Sequence, residues 1–412
     1  MRIAVPIQSI FATLRHHRSA TTLIVVQIAL TLAIVCNALF IVQQRVAHLS
    51  RPTGIDEANI GVIHNQWLAE HGTVETGALM AADLAVLRQL PGVVDAYADN
   101  TYPAVGPWAD LLSVNLKPDQ HGHTSYAELY TVDDHALATL GLQLIAGRNF
   151  HANEIVDVAS LESVAPASII VTQELAEKLF PHASAVGKVV YLGAAPSTIV
   201  GVIRHLQVPA TGTNTFAFRS VLAPVRLLMA SGSYYMLRAR PGQLDAVLRA
   251  APAALRAANH ARLIDADGGV RRYSDLRFEG YTRDRGVAIL MSMICVVLLL
   301  ATAGGMVGLS SFWVSQRRRQ IGIRRALGAT RGDILRYFQT ENLLIVSLGI
   351  ALGMLLAFAL NLLLMTHYEL PRLPLVYLPI GAAALWLLGQ LAVLGPALRA
   401  AAVPPVVATR SV

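Results

Sequence analysis

Four apolar runs, each long enough to cross a bilayer, constrain this chain more than any other feature. They cover residues 20–42, 286–314, 343–365 and 375–395. A helix rises about 1.5 Å per residue, so runs of this length reach across a hydrocarbon core of about 30 Å. Composition agrees: 54% of the 412 residues are hydrophobic and 14% are charged, against about 25% charged in an average soluble chain. The first run is too long for a cleavable signal, and no small-x-small site ends it. The spans hold only Gln27, Asn37, Asn361 and Gln390 as larger polar residues and no ionisable ones. That pattern predicts helix-to-helix hydrogen bonds and argues against a proton- or ion-coupled pump.

Basic residues set the expected orientation. Arg2, Arg15 and Arg18 precede the first run, and Arg399 and Arg410 follow the fourth. Between the second and third lie Arg317, Arg318, Arg319, Arg324, Arg325, Arg331 and Arg336. Four spans place all of these on one side, which the positive-inside rule makes cytoplasmic. The expected layout is a cytoplasmic segment 1–19, a large extracytoplasmic domain 43–285, a cytoplasmic connector 315–342, a short outer loop 366–374 and a cytoplasmic tail 396–412. The net charge of +7 then reflects topology, and no nucleic-acid partner is expected.

Within 43–285, helix and strand signals alternate, so the domain is expected to be α+β. Helices are predicted over 78–90, 134–140 (capped by Asp133 or Asp134), 173–180, 242–258 and 277–285. Strands are predicted over 93–98, 168–172, 189–192, 198–203 and 234–239. Residues 141–225 are the richest in strands and form a possible separate lobe. Two G-x-x-x-G spacings, Gly304 to Gly308 and Gly349 to Gly353, are candidate points of close helix approach.

Little points to chemistry. Within the outer domain, His121 and His123 are the one close histidine pair, too few for a metal site, and no HExxH or CxxC occurs. Cys36 and Cys295 both fall in apolar runs, and the outer domain has no disulfide framework. No serine sits in a G-x-S-x-G context. SAVGKVV, residues 184–190, contains Gly-Lys but lacks the first glycine and the Ser/Thr of a phosphate loop. No catalytic residue, metal or bound cofactor is expected.

The connector carries the most specific pattern. Arg317-Arg318-Arg319-Gln320-Ile321-Gly322-Ile323-Arg324-Arg325-Ala326-Leu327-Gly328-Ala329 runs on to Asp333-Ile334 and Phe338-Gln339-Thr340-Glu341. It resembles the connector of MacB/FtsX-type ABC transporter permeases, R-R-x-E-I-G-I-R-x-A-L-G-A-x-x-x-D-I. Pro396-Ala397-Leu398-Arg399-Ala400-Ala401, Leu140 to Phe150, VTQELAEKLFP and AVGKVV are also similar to that family. Gln320 departs from the pattern, which has Glu there.

The resemblance implies a permease without a fused ATPase, in the bacterial inner membrane with both termini cytoplasmic. It implies a coupling segment seated on a separate ABC ATPase, which uses ATP and magnesium. The coupling residues carried over are Gln320, Ile321, Gly322, Ile323, Arg324, Arg325, Ala326, Leu327, Gly328, Ala329 and Asp333. Gly322 and Gly328 are expected to permit bends at the ends of the coupling helix. The arginines can meet acids on the ATPase or anionic membrane lipid. Expected partners are the ATPase, a second permease copy or a sister permease, and an adaptor with an outer-membrane channel. The implied function is mechanotransmission for efflux of an antibiotic, peptide or similar substrate. Lipoprotein release and activation of a cell-wall hydrolase are alternatives within the family. A non-transporting sensor or scaffold is the alternative of another class.

Overall fold

The computed structural model describes residues 18–106, 111–118, 120, 122, 124–160, 166–193, 195–209, 216–368 and 372–402. His121 and His123 lie outside them. The chain divides into two compact units: one from residues 1–50 and 283–412, the other from Arg51–Thr282.

In the first unit, four helices are long and apolar enough to cross a membrane: α1 (Arg18–Leu49), α7 (Thr282–Gln316), α9 (Arg331–Tyr368) and α10 (Tyr377–Ala401). A short helix, α8 (Arg318–Ala326), joins α7 to α9. Each long helix extends beyond its apolar run at one end or both. Pro396, expected just past the last span, is inside α10. Proline lacks only the N–H that would bond back to residue 392, and its ring kinks a helix more often than it ends one.

Helix α1 is the core of this unit, with Ile24, Val25, Ile28, Leu32 and Cys36 buried against α9 and α10. Glycines make the close approach possible. A Cβ on Gly349 or Gly353 would fall 2.8 Å from Ile28 or 2.9 Å from Leu32. Gly304 and Gly308 behave otherwise: no atom lies within 4 Å of where their Cβ would be, so this pair packs no helix within the described chain. It is Gly305, one residue on, that abuts Gln27. Three polar span residues bond from helix to helix as expected, while Asn361 holds the loop before α10. Gln27 Nε2 donates to Ala301 O at 3.2 Å, and Asn37 Nδ2 to Ala357 O at 3.1 Å. Asn361 Oδ1 accepts from Leu373 N at 3.0 Å, and Gln390 Nε2 reaches Gln339 O at 3.5 Å.

The second unit is α+β. Its helices are α2 (Thr73–Gln89), α3 (Ala136–Leu140), α4 (Gln173–Leu179), α5 (Leu244–Ala258) and α6 (Tyr273–Gly280). An antiparallel sheet has the order β12-β1-β11-β2, from Arg262–Leu263, Ile60–Trp67, Gly232–Ala239 and Val93–Asp99; β13 (Val270–Arg272) also pairs β1. Side chains alternate across it. Ile63, Ala96, Ala98, Tyr235 and Leu237 meet α2 and α5 on one face, while Ile60, Val62, Tyr97 and Met236 meet α3 and Tyr273 on the other. A buried ion pair ties the first face together. Arg262 donates to Asp83 at 2.7 and 2.8 Å, stacks over Trp67 at 4.9 Å, and Tyr235 OH donates to Asp83 at 2.7 Å.

The other sheet has the order β4-β3-β8-β9-β7-β10-β6, from Ser125–Val132, Leu111–Asn115, Val189–Leu192, Ala195–Ile203, Ser168–Thr172, Ser220–Leu227 and Val156–Val158; β5 (Leu144–Gly147) pairs β9. β10 also pairs β4 in parallel, Ser220 opposite Glu128 through Pro224 opposite Val132. Six strands therefore close into a small barrel filled by Val114, Ile169, Val171, Val190, Ile199 and Val221.

The strand-rich part thus begins at Leu111 rather than at 141, and it shares the core around Tyr130, Ile170 and Leu222 with the first sheet. The expected helix 134–140 starts at Ala136 with His135 as its N-cap and no side-chain cap, neither Asp133 nor Asp134 filling that place; Asp133 Oδ1 instead accepts from the His135 N–H at 3.0 Å. The expected helix 277–285 is two helices. It breaks at Tyr281, which is 2% exposed and held by Gln207.

The stretch around Leu140 to Phe150 proves to be a brace. Gly147 has φ +75, and a Cβ there would lie 2.2 Å from Val200 O. Arg148 grips Glu154 at 2.6 and 2.9 Å, while His151 N–H and Ser168 Oγ donate to the same carboxylate at 2.8 and 3.0 Å. The arginine first, then the other two donors, hold the Glu154 pKa at about 2. AVGKVV turns at Gly187, φ +82, and enters β8 at Val189.

Candidate coupling surface

The connector is a rigid platform. Arg317 precedes α8, and Leu327-Gly328-Ala329 ends it in a Schellman motif. Gly328 N–H donates to Arg325 O and Ala329 N–H to Arg324 O, both at 3.1 Å. Gly328 has φ +98, a conformation that strains any side chain. Gly322 makes no bend: it is buried in the middle of α8, so only Gly328 matches the expected pair of hinges. Thr330 and Asp333 then start α9 by capping each other. Thr330 N–H and Oγ1 meet Asp333 Oδ2 at 3.0 and 2.7 Å, and Asp333 N–H donates back to Thr330 Oγ1 at 3.2 Å. Asp333 therefore has a local task in shaping the connector.

What seats α8 is Ile321, 5% exposed, packed with Val314, Ile334, Phe338, Val393, Ala397, Ala400 and Ala401. Within the chain, the small residues that let α8 sit close are Ala397, Ala400 and Ala401 of α10. Ala326 and Gly328 of the connector are exposed, and Ala329 is half-buried.

The arginines divide. Arg317, 12% exposed in its side chain, pairs with Glu341, 2% exposed, at 3.0 Å, and lies over the Trp313 ring at 5.7 Å. This pair bolts the end of α7 to α9. Arg324 lies over Tyr337 at 4.9 Å. Arg318, Arg319, Arg324 and Arg331 form no ion pair among the described residues. Between them stand two exposed apolar side chains, Ile323 at 46% and Leu327 at 81% exposure. Gln320 is also exposed.

A cleft of about 280 Å³ opens between α8 and the start of α9, floored by Ile321, Ile334, Tyr337 and Phe338 and rimmed by Arg317 and Arg324. At the far end of α7, Asp284 meets Arg45 at 2.7 Å and His48 at 3.4 Å, both on α1. Among the described residues no group of three His, Cys, Asp or Glu could hold a metal.

Residues 19–255 match the MacB-like periplasmic core domain, and residues 292–405 match the FtsX-like permease C-terminal domain. The chain belongs to this family of ABC transporter permeases. It is 24% identical over 271 residues to the macrolide export ATP-binding/permease protein MacB of Chromobacterium violaceum, covering 65% of this chain and 40% of that protein. It thus spans less than half the length of that relative. To the uncharacterized ABC transporter permease YvrN of Bacillus subtilis it is 25% identical over 297 residues, covering 70% of this chain and 71% of the other. The crystal structure of the extracellular domain of the transporter YknZ is similar over 50% of this chain and 99% of its own, at 17% identity and a TM-score of 0.32. The matched permease domain contains the connector, α9 and α10.

Proposed function

We propose that this permease works by mechanotransmission: a separate cytoplasmic ABC ATPase seats on the connector, and its ATP-driven closure moves α7, which alters the domain 51–282 in the periplasm. The exposed pair Ile323 and Leu327, set among arginines on a rigid platform, carries this reading. Large apolar side chains ringed by charge are what a docking surface presents. Helix α7 suits the task of a rod, being 35 residues or about 52 Å long, with an ion pair at each end. A push on α8 reaches α9 through the Arg317–Glu341 pair and α1 through Asp284. Spans without ionisable residues fit a device that passes motion rather than a polar substrate.

In this reading both termini are cytoplasmic, the membrane is the bacterial inner membrane, and two permease copies or a sister pair straddle an ATPase dimer. The macrolide export named for its MacB relatives favours efflux, with an adaptor and an outer-membrane channel as further partners. Purification in mild detergent tests the docking: an ABC ATPase is expected to co-purify with the intact chain and to be lost with Leu327→Asp. Absence of any ATPase from the wild-type preparation would favour the sensor or scaffold instead.

A further inference from the structure

The cleft between α8 and α9 shares Leu327 with the docking surface just described, but its apolar floor and its Arg324 rim take no part in that docking. We propose that it binds an anionic glycerophospholipid of the surrounding leaflet. The proposal depends only on the connector lying at the membrane face, and not on any ATPase.

Depth is the first argument. Phe338 and Tyr337 precede Leu343, where the apolar run of α9 begins, by five and six residues. That is about 7.5–9 Å along a helix. Half the difference between a whole bilayer of about 40–45 Å and its core of about 30 Å is about 5–7.5 Å, so the inner wall of the cleft sits at the outer edge of the lipid headgroups. Tyr337 at this level fits an interfacial aromatic belt.

Charge is the second. Arg324 and Arg317 rim the cleft, and the Asp333 carboxylate that also lines it is occupied by Thr330 N–H and Oγ1. Arg317 is neutralised by Glu341, but Arg324 meets only the Tyr337 face among the described residues. A guanidinium held over an aromatic ring at headgroup depth is oriented for a phosphate, and basic pockets at the cytoplasmic ends of spanning helices bind lipid head groups. The third argument is the floor: Ile321, Ile334 and Phe338 offer an apolar lining to glycerol and the first methylenes of an acyl chain. A free phosphate would find no use for that lining. An acidic protein segment could meet the arginine too, and the test separates the two.

Native mass spectrometry of the full chain, titrated with phosphatidylglycerol or phosphatidylcholine in detergent, reads occupancy directly. One phosphatidylglycerol should be retained in preference to phosphatidylcholine. Arg324→Gln should weaken it about fivefold, the equivalent of about 1 kcal/mol per surface arginine. Arg324→Lys should hold it within about twofold, and Ala329→Trp, which fills the cleft, should abolish it. Arg324 is exposed, so its variants report binding even if Ala329→Trp misfolds. Equal retention of both lipids, or unchanged retention in Arg324→Gln, overturns the proposal. So does a cysteine at Ala329 that ATPase shields from a thiol reagent while phosphatidylglycerol vesicles do not.

Discussion

Replacing Glu341 with alanine is the sharpest stability test of the connector's construction. The carboxylate is 2% exposed and the Arg317 side chain 12%, so the variant leaves a guanidinium largely out of water without the carboxylate it pairs with. Breaking a buried pair from one side costs about 3–5 kcal/mol. The Trp313 ring at 5.7 Å retains about 1 kcal/mol of attraction, and the nearby surface offers partial rehydration. The expected loss is therefore about 2–3 kcal/mol. Removing both charges, as Arg317→Met with Glu341→Leu, should cost under about 1.5 kcal/mol, because no buried charge is left unpaired. Equilibrium unfolding in mixed micelles by SDS titration, read by tryptophan fluorescence, measures all the variants of the cycle. A single-variant loss below about 0.5 kcal/mol, or losses that simply add, would refute the idea that this pair bolts α7 to α9.

Three other outcomes follow from the same structure. Gly349→Leu should disrupt the α1–α9 contact and lower thermal stability sharply, whereas Gly304→Leu, with open space around it, should leave the isolated chain's melting temperature unchanged. Asp83→Ala should cost about 3–5 kcal/mol by stranding fully buried Arg262, read as loss of protease resistance in residues 51–282. The Glu154 pKa of about 2 lies below its ordinary 4.5, so its stabilisation is complete above pH 4.5 and is lost as pH falls toward 2. Acid titration of unfolding should show Glu154→Gln losing that dependence. The amplitude should stay under about 1 kcal/mol, since Arg148 is 44% exposed.

The four spanning helices were legible because apolar length is a property of the sequence alone. So were the helices and strands whose breakers are local, such as Pro181 after α4 or Pro91-Gly92 after α2. The barrel was not, because closure depends on β10 finding β4 across some ninety residues, and no periodicity encodes such a pairing. The break at Tyr281 was hidden for a similar reason: a tertiary contact to Gln207 overrides a continuous helical pattern. At the connector, the order of small residues suggested a seat for a partner. Within the chain α8 rests on Ala397, Ala400 and Ala401, while Ala326, Gly328, Ile323 and Leu327 stay exposed. The signal was present in the PALRAA ending, whose alanines fall on one helical face, but only the fold says what that face meets. Arg317 and Glu341 were both visible as motif letters, yet their pairing needed the turn of α8 between them.

The central claim is that force enters at Leu327 and emerges in residues 51–282. Hydrogen exchange on the assembled complex tests it most directly, with and without ATP, for the wild type and Leu327→Asp. The account predicts that ATP changes amide protection in residues 51–282 of the wild type, and that Leu327→Asp, with α8 still folded, abolishes the change. An ATP-dependent change that survives in the variant, or its absence from the wild type, would contradict it.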